Sequence, residues 1–256
     1  MNQAPTDLFM QIRKVCGIDS ILIFLIITPL SLSTYQRNGL WNNELELWQD
    51  NIRKSPRKER PRAHLGFIYL ELGRWNEAQE TLEESLRLNP AYAPAKYNLG
   101  LAFFRKERMD EAIQYFKEAL DLDPNFSESL YNVGIAYLKK RHFGEAVDAF
   151  NRFLELRPDY KHAHNSLGLA YQGLKQWERA IGAFREELRY HPGNFHSHVY
   201  LGFLYKELKD YSRALIHFRE ALTYPDLTTA DEVQEAMAFM EEAQKERKKG
   251  RSEGQR

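Results

Sequence analysis

The sequence lacks several features on which nucleic-acid binding, zinc binding and disulfide formation depend. Its 256 residues contain 36 basic and 36 acidic side chains, so the formal net charge is zero. A chain without an excess of positive charge has no general attraction for a phosphate backbone. The single cysteine, Cys16, can form neither an internal disulfide nor, from this chain alone, a cysteine-based zinc site. We therefore expect no nucleic-acid partner.

The sequence also lacks the short motifs that usually mark a catalytic site. It contains no glycine-rich phosphate loop, no Gly-x-Ser-x-Gly and no His-Glu-x-x-His. The acidic pairs Glu83-Glu84 and Glu186-Glu187 are expected on solvated helix surfaces. In His162-x-His164 and His196-x-His198, residues two apart on a helix point to nearly opposite sides, so neither pair can chelate a metal by itself. We predict no enzyme activity, no metal, no cofactor and no small-molecule substrate.

What the sequence does contain is five sets of residues that recur every 34 positions. One set is glycine, and an aromatic residue follows each glycine after three positions. Another set is alanine, each followed after four positions by a large apolar residue, and the last set is proline. The members are Gly66, Gly100, Gly134, Gly168, Gly202; Tyr69, Phe103, Tyr137, Tyr171, Tyr205; Ala78, Ala112, Ala146, Ala180, Ala214; Leu82, Phe116, Phe150, Phe184, Phe218; and Pro56, Pro90, Pro124, Pro158, Pro192. Such agreement predicts a repeat architecture.

Each period contains two helical patterns separated by a short polar break, as in AKYNLGLAFFRKERMDEAIQYFKEALDLDP at residues 95–124. Glycine and alanine are small, so we expect them to let the two helices of one hairpin approach closely. The aromatic set is expected to fill the space between one hairpin and the next. Asn76, Asp110 and Ser212 are predicted to cap second helices. Proline should separate the repeats because it lacks an N–H donor.

These sets, which we call columns, resemble the tetratricopeptide repeat family. Members of that family have a small residue, glycine, an aromatic residue, alanine and proline at the same period. The resemblance covers residues 59–226 as five repeats. It implies an all-α solenoid in which helix hairpins stack as a right-handed superhelix with a concave face. It also implies a non-enzymatic scaffold for protein–protein interaction, whose ligand is set by groove residues rather than by the fold.

The resemblance further implies a peptide-binding groove on the first helix of each repeat. Asn98 and Asn132 match an asparagine that contacts the peptide backbone in some members, and His162 and His196 are placed so that they could face each other. An aromatic-rich strip with flanking cations suits an extended or helical peptide. The candidate groove residues are Phe67, Leu70, Tyr97, Asn98, Leu101, Phe104, Arg105, Tyr131, Asn132, Ile135, Leu138, Lys139, Asn165, Leu169, Val199, Phe203 and Lys206.

Residues 15–35 form the most apolar run of the sequence, with one charge, Asp19, near its start. Because about 20 apolar residues span a bilayer, this run predicts a transmembrane signal-anchor helix after a tail of residues 1–14. The run also fits a cleaved signal peptide, with Ser31 and Ser33 near the cleavage site, which would release a soluble secreted or periplasmic protein. A short tail before a long domain favours an anchor with the repeats outside the cytoplasm, which in a bacterium is the periplasm.

Residues 34–73 look like the join between the last membrane helix and the repeats in multi-spanning membrane proteins with C-terminal tetratricopeptide repeats. The matching features include Trp41, Leu47-Trp48 and Lys54-Ser55-Pro56. Some of those proteins are glycosyltransferase-like. The resemblance implies a membrane location, and it leaves open a role as the accessory, substrate-recognition module of a membrane glycosyltransferase.

The two ends of the repeat array are predicted to be capped. Pro56 lies one period before Pro90, so LWQDNIRKSP is predicted to be the second helix of an incomplete repeat, within a capping element of residues 36–58. Residues 227–246 predict a C-terminal capping helix, and residues 247–256 a disordered basic tail. Together these patterns predict a membrane-anchored scaffold that binds a peptide segment of a partner protein, in an envelope or secretion-related assembly.

Overall fold

The structure is a computed structural model that describes residues 44–223 and, beyond them, residues 234, 237, 238 and 241. The chain divides after Pro90 into two compact units, which we describe separately. Unit 1 contains α1 (Glu44–Lys54), α2 (Glu59–Glu71) and α3 (Trp75–Leu88). Unit 2 contains α4 (Ala93–Arg105), α5 (Met109–Leu122), α6 (Ser127–Lys139), α7 (Phe143–Leu156), α8 (Ala163–Gly173), α9 (Trp177–Tyr190), α10 (Phe195–Glu207) and α11 (Tyr211–Thr223).

The helices pack as consecutive hairpins, α2 with α3 in unit 1, then α4 with α5 and each following pair in unit 2. The glycine column makes this close packing feasible. A Cβ atom at Gly168 would lie 2.4 Å from Phe184 Cε1, and one at Gly134 would lie 2.8 Å from Phe150 Cε1. Both distances are shorter than a van der Waals contact, so any larger residue would push the second helix away. The predicted close approach at the small residues is confirmed.

The aromatic column carries cations on its rings. The Arg74 guanidinium lies 4.6 Å from the Tyr69 ring centroid, and that of Arg108 lies 4.6 Å from the Phe103 ring centroid. Each arginine stands just before a second helix, so the contact joins the two helices of one hairpin. A cation over an aromatic face contributes roughly 0.5–1 kcal/mol at an exposed site. The column therefore has a role within the hairpin that the sequence analysis did not anticipate.

The turn of each hairpin contains one residue in the left-handed backbone region. In unit 1 this residue is Gly73, with a φ of 72°. In unit 2 the equivalent positions are not glycine, and their φ values lie between 59° and 62°: Glu107, Arg141, Lys175 and Lys209. A residue with a Cβ atom is less stable in this region than glycine.

The predicted caps Asn76, Asp110 and Ser212 were wrong, because the second helices begin earlier. Each of these residues is the second of its helix, inside the first turn. No side-chain cap is formed at α3 or α5. At α11 the residue before the helix, Asp210, instead accepts a hydrogen bond through Oδ1 from the Arg213 N–H at 3.0 Å.

Unit 1 opens with the helix predicted from LWQDNIRKSP. This helix, α1, packs against α2, where the Trp48 ring stacks on the His64 imidazole with 4.3 Å between centroids. Leu82, one period later, is completely buried against Gly66, whereas α1 has no buried residue. The bounds of the predicted capping element, residues 36–58, include residues outside the described part and remain a prediction.

The predicted ends of the chain lie largely outside the described residues. The predicted membrane segment at residues 15–35 and the basic tail at 247–256 are both outside them. Within the part that is described, every helix is too short or too polar to cross a bilayer. The described residues of the predicted C-terminal helix are helical. Met237 packs against the core of unit 2, and Glu241 Oε1 lies 2.9 Å from Arg219 Nη2.

Candidate functional site

The first helices of the repeats in unit 2, α4, α6, α8 and α10, are joined side by side by their own side chains. Asn132 Nδ2 on α6 donates a hydrogen bond to the Tyr97 hydroxyl on α4 at 3.0 Å. Ser197 Oγ on α10 donates one to Asn165 Oδ1 on α8 at 2.8 Å. The predicted groove residues of unit 2 lie on these four helices, and we call the side of the helices that these bonds join the groove face.

Tyr97 and Tyr131 lie partly buried on this face and pack against the following hairpin. The Tyr97 ring centroid lies 5.0 Å from that of Phe126, which precedes α6, and the Tyr131 centroid lies 5.3 Å from that of Tyr160, which precedes α8. Burial, followed by the nearby charge of Glu128, raises the pKa of Tyr97 to about 12. Burial also raises the pKa of Tyr131. Both phenols thus remain protonated at neutral pH, and both tyrosines help to hold successive repeats together.

Further along the same helices lies a row of partly exposed apolar side chains. Leu101 and Phe104 follow Tyr97 on α4, and Ile135 and Leu138 occupy the equivalent places on α6. The spacing of three and four residues keeps each pair on one side of its helix. Lys139 Nζ lies 4.8 Å from the Phe104 ring centroid, so a cation borders the row. This row gives the groove face apolar surface that is open to a ligand.

The remaining predicted groove residues divide by exposure. Val199 is buried in the core of unit 2, so it offers almost no surface to a partner. Leu70 is buried in unit 1, where Phe67 is exposed, and neither belongs to the groove face of unit 2. The partly or well exposed predicted residues of unit 2 are Tyr97, Asn98, Leu101, Phe104, Arg105, Tyr131, Asn132, Ile135, Leu138, Lys139, Leu169, Phe203 and Lys206.

Two equivalent places in unit 2 have opposite chemistry. At one, which we call the aromatic junction, Tyr131, Phe153 and Tyr160 pack ring against ring with centroids 5.1 to 5.3 Å apart. The residues 34 positions later, Asn165, Glu187 and Asn194, form what we call the polar junction. There Asn165 Nδ2 donates to Asn194 Oδ1 at 3.3 Å, and Asn194 Nδ2 donates to Glu187 Oε1 at 3.1 Å. Amide and carboxylate groups replace three rings.

Glu187 is completely buried, which contradicts the expectation that it lies on a solvated surface. Its Oε1 atom accepts hydrogen bonds from Asn194 Nδ2 and from the His162 backbone N–H at 2.9 Å. His191 Nδ1 lies 3.0 Å from Oε1 but is not oriented for a hydrogen bond, and Oε2 has no hydrogen-bond partner among the described residues. A sequence signal existed, because the positions one period apart hold small or apolar residues: Ser85, Ala119, Phe153 and Ala221. All four are buried.

The Glu187 carboxylate lies beside the start of α8, which lacks two residues that the other first helices have at this end. The first helices α4, α6 and α10 begin at Ala93, Ser127 and Phe195, but α8 begins two residues later than this spacing predicts. His162, the residue before α8, has a left-handed backbone with a φ of 71°. Burial is the main cause that lowers the pKa of its imidazole. The hydrogen bond from its N–H to Glu187 offsets part of the cost of this conformation.

Two cavities border the polar junction, and both are lined by His162 and His196, whose rings meet edge to face at 6.3 Å. The first, of about 510 Å³, is lined by Lys161, His162, His191, Pro192, Gly193, Asn194, Phe195 and His196. The second, of about 250 Å³, opens on the groove face and is lined by His162, Asn165, Ser166, Leu169, His196 and Tyr200. Asn165 and Leu169 were predicted as groove residues, whereas the histidines were not. Among the described residues, no three metal-binding side chains are grouped to hold an ion.

Comparison with known proteins identifies the fold independently. No curated protein sequence matches this chain significantly. Among solved structures, MamA from Desulfovibrio magneticus RS-1 (residues 41 to the end) is 25% identical with a TM-score of 0.62, over 65% of this chain and 94% of that one. YrrB, described as a TPR protein with an unusual peptide-binding site, is 20% identical with a TM-score of 0.66, over 75% of this chain and 99% of that one.

Family models agree with the residue columns. One tetratricopeptide repeat model matches residues 65–125 and 167–231, and a second matches residues 103–170. Together these matches run without a gap from residue 65 to residue 231, most of the five predicted repeats. The helix pairs, the glycine contacts and the family models give the same answer: the chain belongs to the tetratricopeptide repeat family.

Proposed function

We propose that the groove face of unit 2 binds a peptide segment of a partner protein, and that the chain acts as a scaffold rather than as an enzyme. The observation that carries the proposal is the row of partly exposed apolar side chains on adjacent helices: Leu101, Phe104, Ile135 and Leu138. A surface of this kind, with side chains at fixed helical spacing, suits the apolar side of an extended or helical peptide. Family membership supports a role in protein–protein interaction in general.

The charges beside this row indicate the chemistry of the peptide. Lys139 Nζ lies over the Phe104 ring, and Lys206 Nζ lies 5.8 Å from the Phe203 ring centroid. Arg105 is exposed at the end of α4. Three cations on the groove face favour a ligand with apolar anchors flanked by acidic residues, since charge complementarity raises the association rate and the specificity. YrrB supports the general idea that this fold can carry a peptide-binding site.

The proposal includes a membrane anchor at residues 15–35, which rests on the sequence. An anchored array would present its groove to partners in an envelope or secretion-related assembly, outside the cytoplasm. Alkaline extraction of membranes that contain the full chain tests the anchor, since an integral segment keeps the chain in the pellet. Recovery of the chain in the supernatant, with a mature N-terminus near residue 34, would instead show that the segment is cleaved.

A displayed library of random 12-residue peptides, selected on the full chain, tests the groove. Phe104→Ala and Leu138→Ala remove two central apolar side chains, and each should weaken the selected peptides by at least tenfold. Leu122→Ala is the matched control, because Leu122 is an exposed leucine at the end of a second helix and should leave the affinity unchanged. Failure to select any peptide, or equal loss in all three variants, would reject the groove face as the binding site.

A further inference from the structure

We propose that the 250 Å³ cavity between Asn165 and Tyr200 is a specificity pocket that takes a tyrosine side chain of the bound peptide. This inference rests on the proposed peptide binding and names the side chain that the groove selects. It comes from a comparison of three equivalent positions in unit 2, two of which are filled by tyrosines of the chain itself.

The first two positions show what normally fills this space. The Tyr97 side chain on α4 reaches Asn132 on α6, and the hydroxyl accepts the amide hydrogen bond at 3.0 Å. Tyr131 on α6 likewise lies near Ser166 on α8, whose hydroxyl partly offsets the effect of burial on the Tyr131 pKa. In each case a tyrosine ring extends from the first helix of one repeat toward the first helix of the next.

At the third position no tyrosine bridges the two first helices. The residue equivalent to Tyr131 is Asn165, and the residue equivalent to Ser166 is Tyr200. The shorter Asn165 side chain bonds instead to Asn194 and, on α10, to Ser197. Asn165 and Tyr200 both line the cavity, so the open space lies beside the residue that replaces the tyrosine of the two preceding repeats.

The size of the cavity suits an aromatic ring. An apolar cavity of about 150 Å³ accommodates benzene, so 250 Å³ leaves room for a phenol. Leu169 and the rings of His162, His196 and Tyr200 form walls against which a ring can pack. Aromatic pairs in such surroundings add roughly 0.5–1.5 kcal/mol beyond the area that they bury.

The polar part of the lining favours tyrosine over an aliphatic side chain. Ser166 and Tyr200 contribute hydroxyl groups to the cavity, and Asn165 contributes its amide. A phenol can donate and accept hydrogen bonds, and the chain's own Tyr97 accepts one at the equivalent place. A leucine or valine would fill part of the space but could form no hydrogen bond with the lining hydroxyl groups.

The peptides selected from the library on the full chain provide the test. We expect a tyrosine at one fixed position relative to the apolar anchors, and replacing it with alanine should weaken binding by at least tenfold. Asn165→Tyr fills the cavity with the residue that the preceding repeats use, so it should weaken the tyrosine peptide to the level of its alanine version. The alanine peptide itself should bind wild type and Asn165→Tyr equally.

Two further variants guard against a trivial explanation. Leu169→Phe narrows the same cavity from a different, partly exposed wall, and it should reduce the preference for the tyrosine peptide even if Asn165→Tyr fails to fold. Asn151→Tyr makes the same substitution at an exposed position on α7 and should change nothing. Circular dichroism and thermal unfolding of each variant separate a loss of binding from a loss of structure.

The outcomes distinguish the two proposals. Selected peptides that bind the groove without an aromatic residue at a fixed position would overturn the tyrosine pocket and leave the peptide-binding groove in place. A preserved tyrosine preference in both folded pocket variants would do the same. If no peptide is selected by the wild-type chain, the groove proposal fails and the pocket proposal falls with it.

Discussion

The aromatic junction and the polar junction of unit 2 occupy the same place in successive repeats, yet they are built from opposite chemistry. In the aromatic junction, Phe153 packs between two tyrosine rings and has only 2% of its surface exposed. In the polar junction, Glu187 is equally buried but is held by an amide and a backbone N–H. Equivalent pairs of helices therefore accommodate either three rings or a hydrogen-bonded carboxylate.

The difference shows that packing alone does not account for the polar junction. Replacing a buried ionic or polar group with well-packed apolar residues is often neutral or stabilising, so a buried carboxylate is weak evidence of a stability role. The preceding repeat shows that an aromatic solution exists for this backbone. What the polar residues provide is space, because two tyrosines become asparagines and two cavities border the site.

The largest effect should come from placing the polar junction's carboxylate in the aromatic junction. Phe153→Glu buries a charge between Tyr131 and Tyr160 with no amide to hold it, which should lower the free energy of unfolding by about 4 kcal/mol. Phe153→Leu, the apolar control, should cost roughly 1 kcal/mol. Urea unfolding measures both, and equal stabilities of the two variants would contradict the idea that the surroundings decide what each junction tolerates.

The reverse exchange should stabilise the chain. The triple variant Asn165→Tyr, Glu187→Phe, Asn194→Tyr copies the aromatic junction, and we expect its free energy of unfolding to rise by roughly 1–4 kcal/mol. Without the carboxylate, the His162 N–H becomes an ordinary amide in a first helical turn, so α8 can begin earlier. Thermal unfolding measures the gain, with Glu187→Gln as a control that keeps the shape. A destabilised triple variant would mean that the polar junction is required for folding.

Acid should lower the free energy of unfolding through His217 on α11. Burial lowers the pKa of His217 to about 4, and the neighbouring His198 and Arg185 act in the same direction. The unfolded chain, with an ordinary histidine pKa near 6.5, binds more protons between these values, so stability is full above pH 6.5 and falls as the pH drops toward 4. Because the side chain is partly exposed, we expect a loss of roughly 1–2 kcal/mol rather than the full shift.

His217→Gln isolates this contribution from the other titrating groups. Between pH 7 and pH 4.5, the variant should lose less stability in urea than the wild-type chain does. His198 Nδ1 lies 3.2 Å from His217 Nδ1, and its Nε2 lies 3.1 Å from the Pro192 carbonyl oxygen, so one histidine must donate and the other accept. Parallel pH profiles of the two proteins would show that this pair does not carry the acid sensitivity.

The smallest effect should come from removing the hydroxyl group of Tyr97, which lies one period before Tyr131 of the aromatic junction. Tyr97→Phe removes one of the two acceptors of the Asn132 amide and should cost about 1 kcal/mol, since the amide keeps only its bond to the Glu128 carbonyl oxygen. Tyr160→Phe is the control, because Tyr160 is exposed and contributes to the junction through its ring, so its change should be about 0.3 kcal/mol. Equal effects in urea unfolding would show that the bridge between the first helices adds nothing.

Periodicity was sufficient to predict the hairpins, because the fold reuses one set of contacts at fixed spacing. Gly168 and Phe184 illustrate this: their spacing is the same as in the other repeats, and they meet as the pattern predicts. The cap predictions at Asn76 and Asp110 failed because a side chain that is able to cap says little about where a helix begins. At α3 and α5 the helix starts one residue earlier, and the first turn tolerates these polar residues.

The site was predicted less completely, for a physical reason. The pattern placed Asn165 and Leu169 on the groove, and both line the cavity there. It placed Glu187 in solvent, because an isolated glutamate on an amphipathic helix is usually exposed. Its partners, Asn194 and His162, lie 7 and 25 residues away and come together only when two hairpins pack. Comparing each column across repeats would have shown that position 187 is a buried one.

The left-handed residues in the hairpin turns have a consequence for how this protein can change over time. In unit 2 these positions hold Glu107, Arg141, Lys175 and Lys209, whereas unit 1 has glycine at the equivalent place. Replacing any one with glycine should relieve strain of roughly 0.5–1 kcal/mol. None of the four lines either cavity at the polar junction. The turns thus hold a reserve of stability, which mutation could release to offset the cost of new residues elsewhere in the array.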